Sequence, residues 1–217
     1  MNAEKAKTPV TPEKAILLDK ILRIFGYSLA LSAVGAWLGQ FIPKSLFIPL
    51  FILELIVLIA LALSEKKERG YPLLILFTLL SGMTLYPLFA VYLNVLGKEV
   101  LVGALVVTAI IFFVLGTIGY RLNKDLSGWG MGLFVALLIF LGISIIVVFL
   151  PYNSLLEIFV ASAGIILFSM YTVYDFNQIK QRTFTEDEVP SIVVSLYLDF
   201  LNLFLDVIRM LAALVSD

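Results

Sequence analysis

Seven long apolar runs, at about residues 22–42, 46–64, 71–95, 99–120, 129–150, 155–179 and 190–215, decide most of what this chain can become. Each approximates the roughly 20 residues that a helix needs to cross the hydrocarbon core of a bilayer. Pro43, Gly70-Tyr-Pro72, Gly97, Pro151 and Pro190 punctuate the short connections. The runs are continuous rather than alternating, which fits helices and not barrel strands. Hydrophobic residues make up 61% of the chain and charged residues 14%, against roughly 45–50% and about 25% in soluble domains. Mean hydropathy is +1.06. The expectation is an all-α integral membrane protein with seven transmembrane helices in the lipid bilayer, forming one domain over 22–217. A polar arm, 1–21, carries Lys5, Lys7, Lys14, Pro9 and Pro12 and is too long and too punctuated for the basic region of a signal peptide.

Counting Lys and Arg over alternate connections gives twelve on one side and two, Lys44 and Lys98, on the other. Positive charge collects on the cytoplasmic side, so the N-terminus is expected in the cytoplasm and the C-terminus outside. The net charge of −1, with no basic cluster interleaved with aromatics, argues against a nucleic-acid partner. Cysteine and histidine are both absent. Thiol chemistry is therefore excluded, and any response to pH near neutrality falls to carboxylates.

Two carboxylates stand out. Asp175 lies in Tyr-Thr-Val-Tyr-Asp of the sixth run, and Asp199 lies in Ser-Leu-Tyr-Leu-Asp-Phe of the seventh. If the runs fold back as antiparallel helices about the polar hinge 180–190, each aspartate lies twelve residues from Asp187 and the two meet at similar depth. Such a pair can share one proton as a hydrogen-bonded latch, or stand doubly charged and attract a divalent cation. Hard oxygen ligands suit Ca²⁺, although two carboxylates fall short of its usual six to eight oxygens. Along the seventh run Ser195, Asp199, Asn202, Asp206 and Arg209 recur every three or four residues. They form a polar stripe about 20 Å long at 1.5 Å per residue. A stripe of this kind faces protein or water, not lipid, which places the seventh helix at the centre.

Other polar groups have plainer readings. Asp206 and Arg209, three apart, can neutralise each other. Glu54, in the middle of the second run, needs a proton or a partner such as Arg209. Ser81-Gly-Met-Thr84 with Pro87 reads as close helix packing. Thr185 to Glu188, ahead of Pro190, reads as a helix cap, and Glu186-Asp187-Glu188 is also an acidic mouth that could concentrate cations.

Phe77-Thr-Leu-Leu-Ser-Gly-Met-Thr-Leu-Tyr-Pro87, Lys124-Asp-Leu-Ser127, Tyr171-Thr-Val-Tyr-Asp175 and Ser195-Leu-Tyr-Leu-Asp-Phe-Leu-Asn-Leu-Phe204 occur in that order. Together they resemble the transmembrane Bax inhibitor motif family, over nearly all of the chain beyond the arm. The resemblance implies six helices around a central seventh, and a pH-gated Ca²⁺ leak in which Asp175 and Asp199 are the sensor. Ca²⁺ is then the permeant ion, protons the signal, and no tightly bound cofactor is expected. It also implies a basic residue near the end of the second helix that joins the latch, for which Lys66, Lys67 and Arg69 are available. A short chain without eukaryotic sorting signals is expected in a prokaryotic inner membrane. Two other classes compete. A proton-coupled carrier for a small solute or ion would use the same pair and stripe. An intramembrane aspartyl protease would use Tyr174-Asp175, but it wants Gly-x-Gly-Asp where this chain has Leu196-Tyr-Leu-Asp199. The expectation is a channel and not an enzyme.

Overall fold

Each apolar run becomes one helix. The computed structural model describes residues 12–215, and among them are α1 (Pro12–Gly39), α2 (Phe47–Ala62), α3 (Lys67–Leu96), α4 (Lys98–Arg121), α5 (Gly130–Val148), α6 (Ser154–Gln181) and α7 (Val189–Val215). All seven are long and apolar enough to span a membrane once their flanking turns are included, and no strand occurs among the described residues. The protein is an integral membrane protein of seven helices. Lys5 and Lys7 of the expected arm lie outside the described residues. The remainder of that arm, from Pro12, is already helical, so α1 starts ten residues before the expected boundary at 22. Leu17 and Ile21 bury themselves in the core and draw this segment into the helix.

Helix α7 is the axis. In its most apolar window 61% of residues are buried, against 11–33% for the other helices. It packs on α1, α3, α4 and α6 and touches α2, whereas α5 leans on α6. The arrangement is therefore a ring that is fullest around α1, α3, α4 and α6, with α5 as an outer helix. An aromatic cluster knits the centre. Phe112 of α4 stacks on Phe25 of α1 at 5.3 Å between centroids and meets Phe176 and Phe200 edge-on at 5.7 and 5.4 Å. Phe176 and Phe200 directly follow the two aspartates. At 100° per residue their burial against Phe112 turns Asp175 and Asp199 away from the aromatic core.

Close approach elsewhere depends on missing side chains. A Cβ on Gly82 of α3 would collide with the Ser32 carbonyl of α1, and one on Gly35 with the Leu79 carbonyl. This is the close packing expected of Ser81-Gly-Met-Thr84. The link between α3 and α4 is the single residue Gly97, whose φ of 79° favours glycine.

The connections that carry most of the basic charge form one face. Lys14 donates to the Lys180 carbonyl and, at 2.9 Å, to that of Arg182. Lys180 Nζ reaches the Leu122 carbonyl at 2.8 Å and Asn123 Oδ1 at 3.0 Å. Glu186 takes ion pairs from Lys20 of α1 at 3.0 Å and Lys67 of α3 at 2.8 Å, while Asp187 accepts from the Lys67 backbone N–H. Two members of the acidic triplet are thus occupied in holding the α6–α7 hinge to α1 and α3. The third, Glu188, accepts from the Thr185 N–H at 2.9 Å and completes the capping box before α7.

Candidate functional site

Asp175 and Asp199 project from the paired helices α6 and α7 into each other's electrostatic field. Asp199 is 5% exposed, and its Oδ2 is buried without a hydrogen-bond partner among the described residues. Such an orphaned oxygen is expensive in an apolar setting. Tyr171, one turn deeper on α6, lies within electrostatic range of both carboxylates. Towards the basic face the site opens into a cavity of about 320 Å³ between α6, α7 and their hinge, lined by Tyr174, Asp175, Arg182, Glu188, Ser191 and Ser195, among others. Asp175 borders the cavity and Asp199 lies one turn beyond Ser195 on α7, so the pair sits at the inner end of an opening from the membrane surface.

The polar stripe of α7 turns towards α6 along its length. Ser195 lines the cavity. Asn202 donates to the Leu198 carbonyl of its own helix at 2.8 Å. Asp206, 6% exposed, occupies the space beside Gly164 of α6. Arg209 closes the far end with a 2.5 Å contact from Nε to Glu157 Oε2. This last contact corrects two expectations. Arg209 does not pair with Glu54, because it lies near the far end of α7 while Glu54 is in the middle of α2. Its ion pair is with Glu157, in the first turn of α6, rather than with Asp206, which shares only its longer-range field. Glu54 instead accepts a hydrogen bond from Thr84 Oγ1 of α3 at 2.6 Å.

No basic side chain forms a salt bridge with Asp175 or Asp199 among the described residues. Of the candidates for that part, Lys67 is engaged by Glu186, and the basic residue of the α7 stripe, Arg209, is engaged by Glu157. The described residues also contain no group of three or more acidic side chains able to hold a metal ion. Two carboxylates alone do not make a closed metal cage.

Asn177, near the end of α6, is not among the candidates that the sequence singles out. It is fully buried, accepts from the Leu126 N–H at 2.9 Å and donates to the carbonyls of Lys124 (3.0 Å) and Gly119 (3.3 Å). This one amide fixes the α4–α5 connection to α6, two residues from Asp175. Asn177→Leu is expected to destabilise the protein by about 1–3 kcal/mol, because it orphans a buried N–H. Thermal unfolding in detergent would register the loss, and an unchanged midpoint would show that water replaces the amide.

The fold and the site together define a class: a seven-helix membrane protein whose most buried helix carries a polar face and meets α6 at two carboxylates, Asp199 buried and Asp175 half-buried. The profile of the family described as "Inhibitor of apoptosis-promoting Bax1" matches residues 15–216, and the chain belongs to that Bax inhibitor-like family. It is 34% identical over 195 residues to an uncharacterized protein of Helicobacter pylori, covering 87% of this chain and 83% of that one. The inner membrane protein YbhL of Escherichia coli is 30% identical over 224 residues, with 92% and 94% covered. Bax inhibitor 1 of Schizosaccharomyces pombe is 28% identical over 198 residues, with 91% and 72% covered.

Proposed function

We propose that this protein is a Ca²⁺ leak channel of a bacterial inner membrane, in which Asp175 and Asp199 bind the passing ion and sense pH. The observation that carries the reading is the Asp175/Asp199 pair at the end of a polar cavity, Asp175 half-buried on its wall and Asp199 buried, with Asp199 Oδ2 without a partner among the described residues. Two like carboxylates at that depth have two stable arrangements, joined by a proton or separated by a cation, and switching between them couples ion passage to pH. The stripe through Asp206 to the Glu157–Arg209 pair continues the same interface to the opposite membrane surface. The basic face holds the connections that the positive-inside rule assigns to the cytoplasm, so the cavity is the cytoplasmic mouth. Membership of a family that includes an inner membrane protein of Escherichia coli supports the location.

The test is Ca²⁺ entry into liposomes that contain the purified protein and a trapped Ca²⁺ dye. Entry above that of empty liposomes, rising in proportion to the gradient and changing between pH 5 and 8, is the expected result. Saturable exchange that requires a co-substrate would make the protein a carrier, and no entry at any pH would end the leak reading.

A further inference from the structure

Arg182 is the only basic residue among the described residues that line the cavity above Asp175. It caps the C-terminus of α6, seven residues beyond Asp175, and the two side chains line the same cavity. The Arg182 backbone is fixed, because its carbonyl accepts from Lys14 Nζ at 2.9 Å. Its guanidinium is instead drawn to Glu188 on the α7 side of the cavity, 3.6 Å away, with side chains 65% and 42% exposed. Exposed pairs of this kind contribute little net stability, so this one opens and closes readily. The neighbouring cations are engaged elsewhere: Lys20 and Lys67 on Glu186, and Lys180 on the α4–α5 connection.

We propose that Arg182 is a tethered counter-charge that sets cation access to the Asp175/Asp199 site, and that Glu188 is the positioning residue that holds it aside. This rests on the reading of the pair as a cation site. With Arg182 on Glu188, the mouth offers the Asp175 carboxylate to an incoming divalent cation. Once released, the guanidinium bends back over Asp175 and the mouth repels cations. Glu188 therefore acts through Arg182 rather than through its own charge alone.

The absence of cysteine gives a clean test. Ser195, exposed and on the cavity wall, is changed to cysteine in the full chain, and its rates of modification by a cationic and an anionic methanethiosulfonate of similar size are compared. Arg182→Gln is expected to raise the cationic-to-anionic ratio about tenfold, and Glu188→Gln to lower it about tenfold, within the range that local charge exerts on encounter rates. Glutamine at 188 can still accept the Thr185 N–H, so the cap survives. In the Arg182→Gln background, Glu188→Gln should change the ratio by less than about twofold, since there is no guanidinium left to restrain. Additive effects, or a ratio indifferent to both substitutions, would overturn the proposal. Arg182→Lys should restore most of the parent ratio. The labelling needs no ion flux, so failure of the leak and failure of this inference are separate results.

Discussion

Asp175→Asn and Asp199→Asn, made singly, are expected to flatten the pH dependence of Ca²⁺ entry to within about twofold between pH 5 and 8, where the parent changes by about tenfold or more. A tenfold change corresponds to about 1.4 kcal/mol of bias between conducting and non-conducting states. This is modest beside the repulsion of roughly 4 kcal/mol between two unit charges 4 Å apart at an effective dielectric of 20. Asparagine keeps the shape of aspartate and removes its titration, so packing against Tyr171 and α7 is retained while the proton and the cation both lose a ligand. Dye-loaded liposomes over the pH series check this, with thermal unfolding of the same preparations as the control for folding. A single variant that retains the parent's pH profile would remove the pair from the mechanism, since the remaining carboxylate would no longer have a second carboxylate with which to share a proton. Asp206→Asn, deeper against Gly164, should lower the rate while leaving the shape of the profile.

The largest effect on stability is expected at Gly82. Its α-carbon packs so closely on the Ser32 carbonyl that any Cβ overlaps the backbone of α1. A backbone atom cannot rotate aside as the end of a long side chain can. Gly82→Leu must therefore part α1 from α3, at about 3 kcal/mol or more, the upper end of overpacking costs. Because α1 and α3 also hold the hinge through Lys20 and Lys67, their separation should release Glu186 as well. Gly142→Leu in α5 is the matched control, as nothing lies within 4 Å of the Cβ it adds; it is expected to be neutral or to stabilise by up to about 1 kcal/mol through better helix propensity. Equal unfolding midpoints for the two variants would show that the α1–α3 contact yields without strain.

Apolar length alone made the seven spans legible, because a bilayer accepts little besides a helix of about 20 residues. The meeting of Asp175 and Asp199 was legible for a related reason: a helical hairpin pairs positions equidistant from its turn, and Asp187 marks that turn. Pairing beyond the hairpin was hidden. Arg209 meets Glu157 because both lie at the far end of the same two helices, but Glu157 reads in the sequence as an ordinary residue of a helix's first turn. The acidic triplet reads as a cation-attracting mouth, whereas Lys20 and Lys67 occupy Glu186, and nothing local to 186–188 announces partners more than a hundred residues away. Pro12 reads as punctuation, yet it stands at the first position of α1, where its missing N–H carries no penalty. The outer place of α5 was equally silent, since a helix coated in Leu, Ile, Val and Phe is as content against lipid as against protein.

The position of α7 in the chain has a consequence for how the protein is made. Each aspartate near the middle of a spanning helix opposes insertion by about 2.5–3.5 kcal/mol, and α7 carries Asp199 and Asp206. Presented to lipid alone, it would be a reluctant span; α5, the most apolar of the seven, would enter unaided. Helix α7 is synthesised after the helices it packs among, so Glu157, Gly164 and Asp175 of α6 are already in the bilayer when it emerges. Its entry and its docking then become a single event, as association within the membrane replaces solvation by lipid. A circular permutant that places α7 ahead of α1 would present the same polar stripe to the membrane with no helix yet there to receive it.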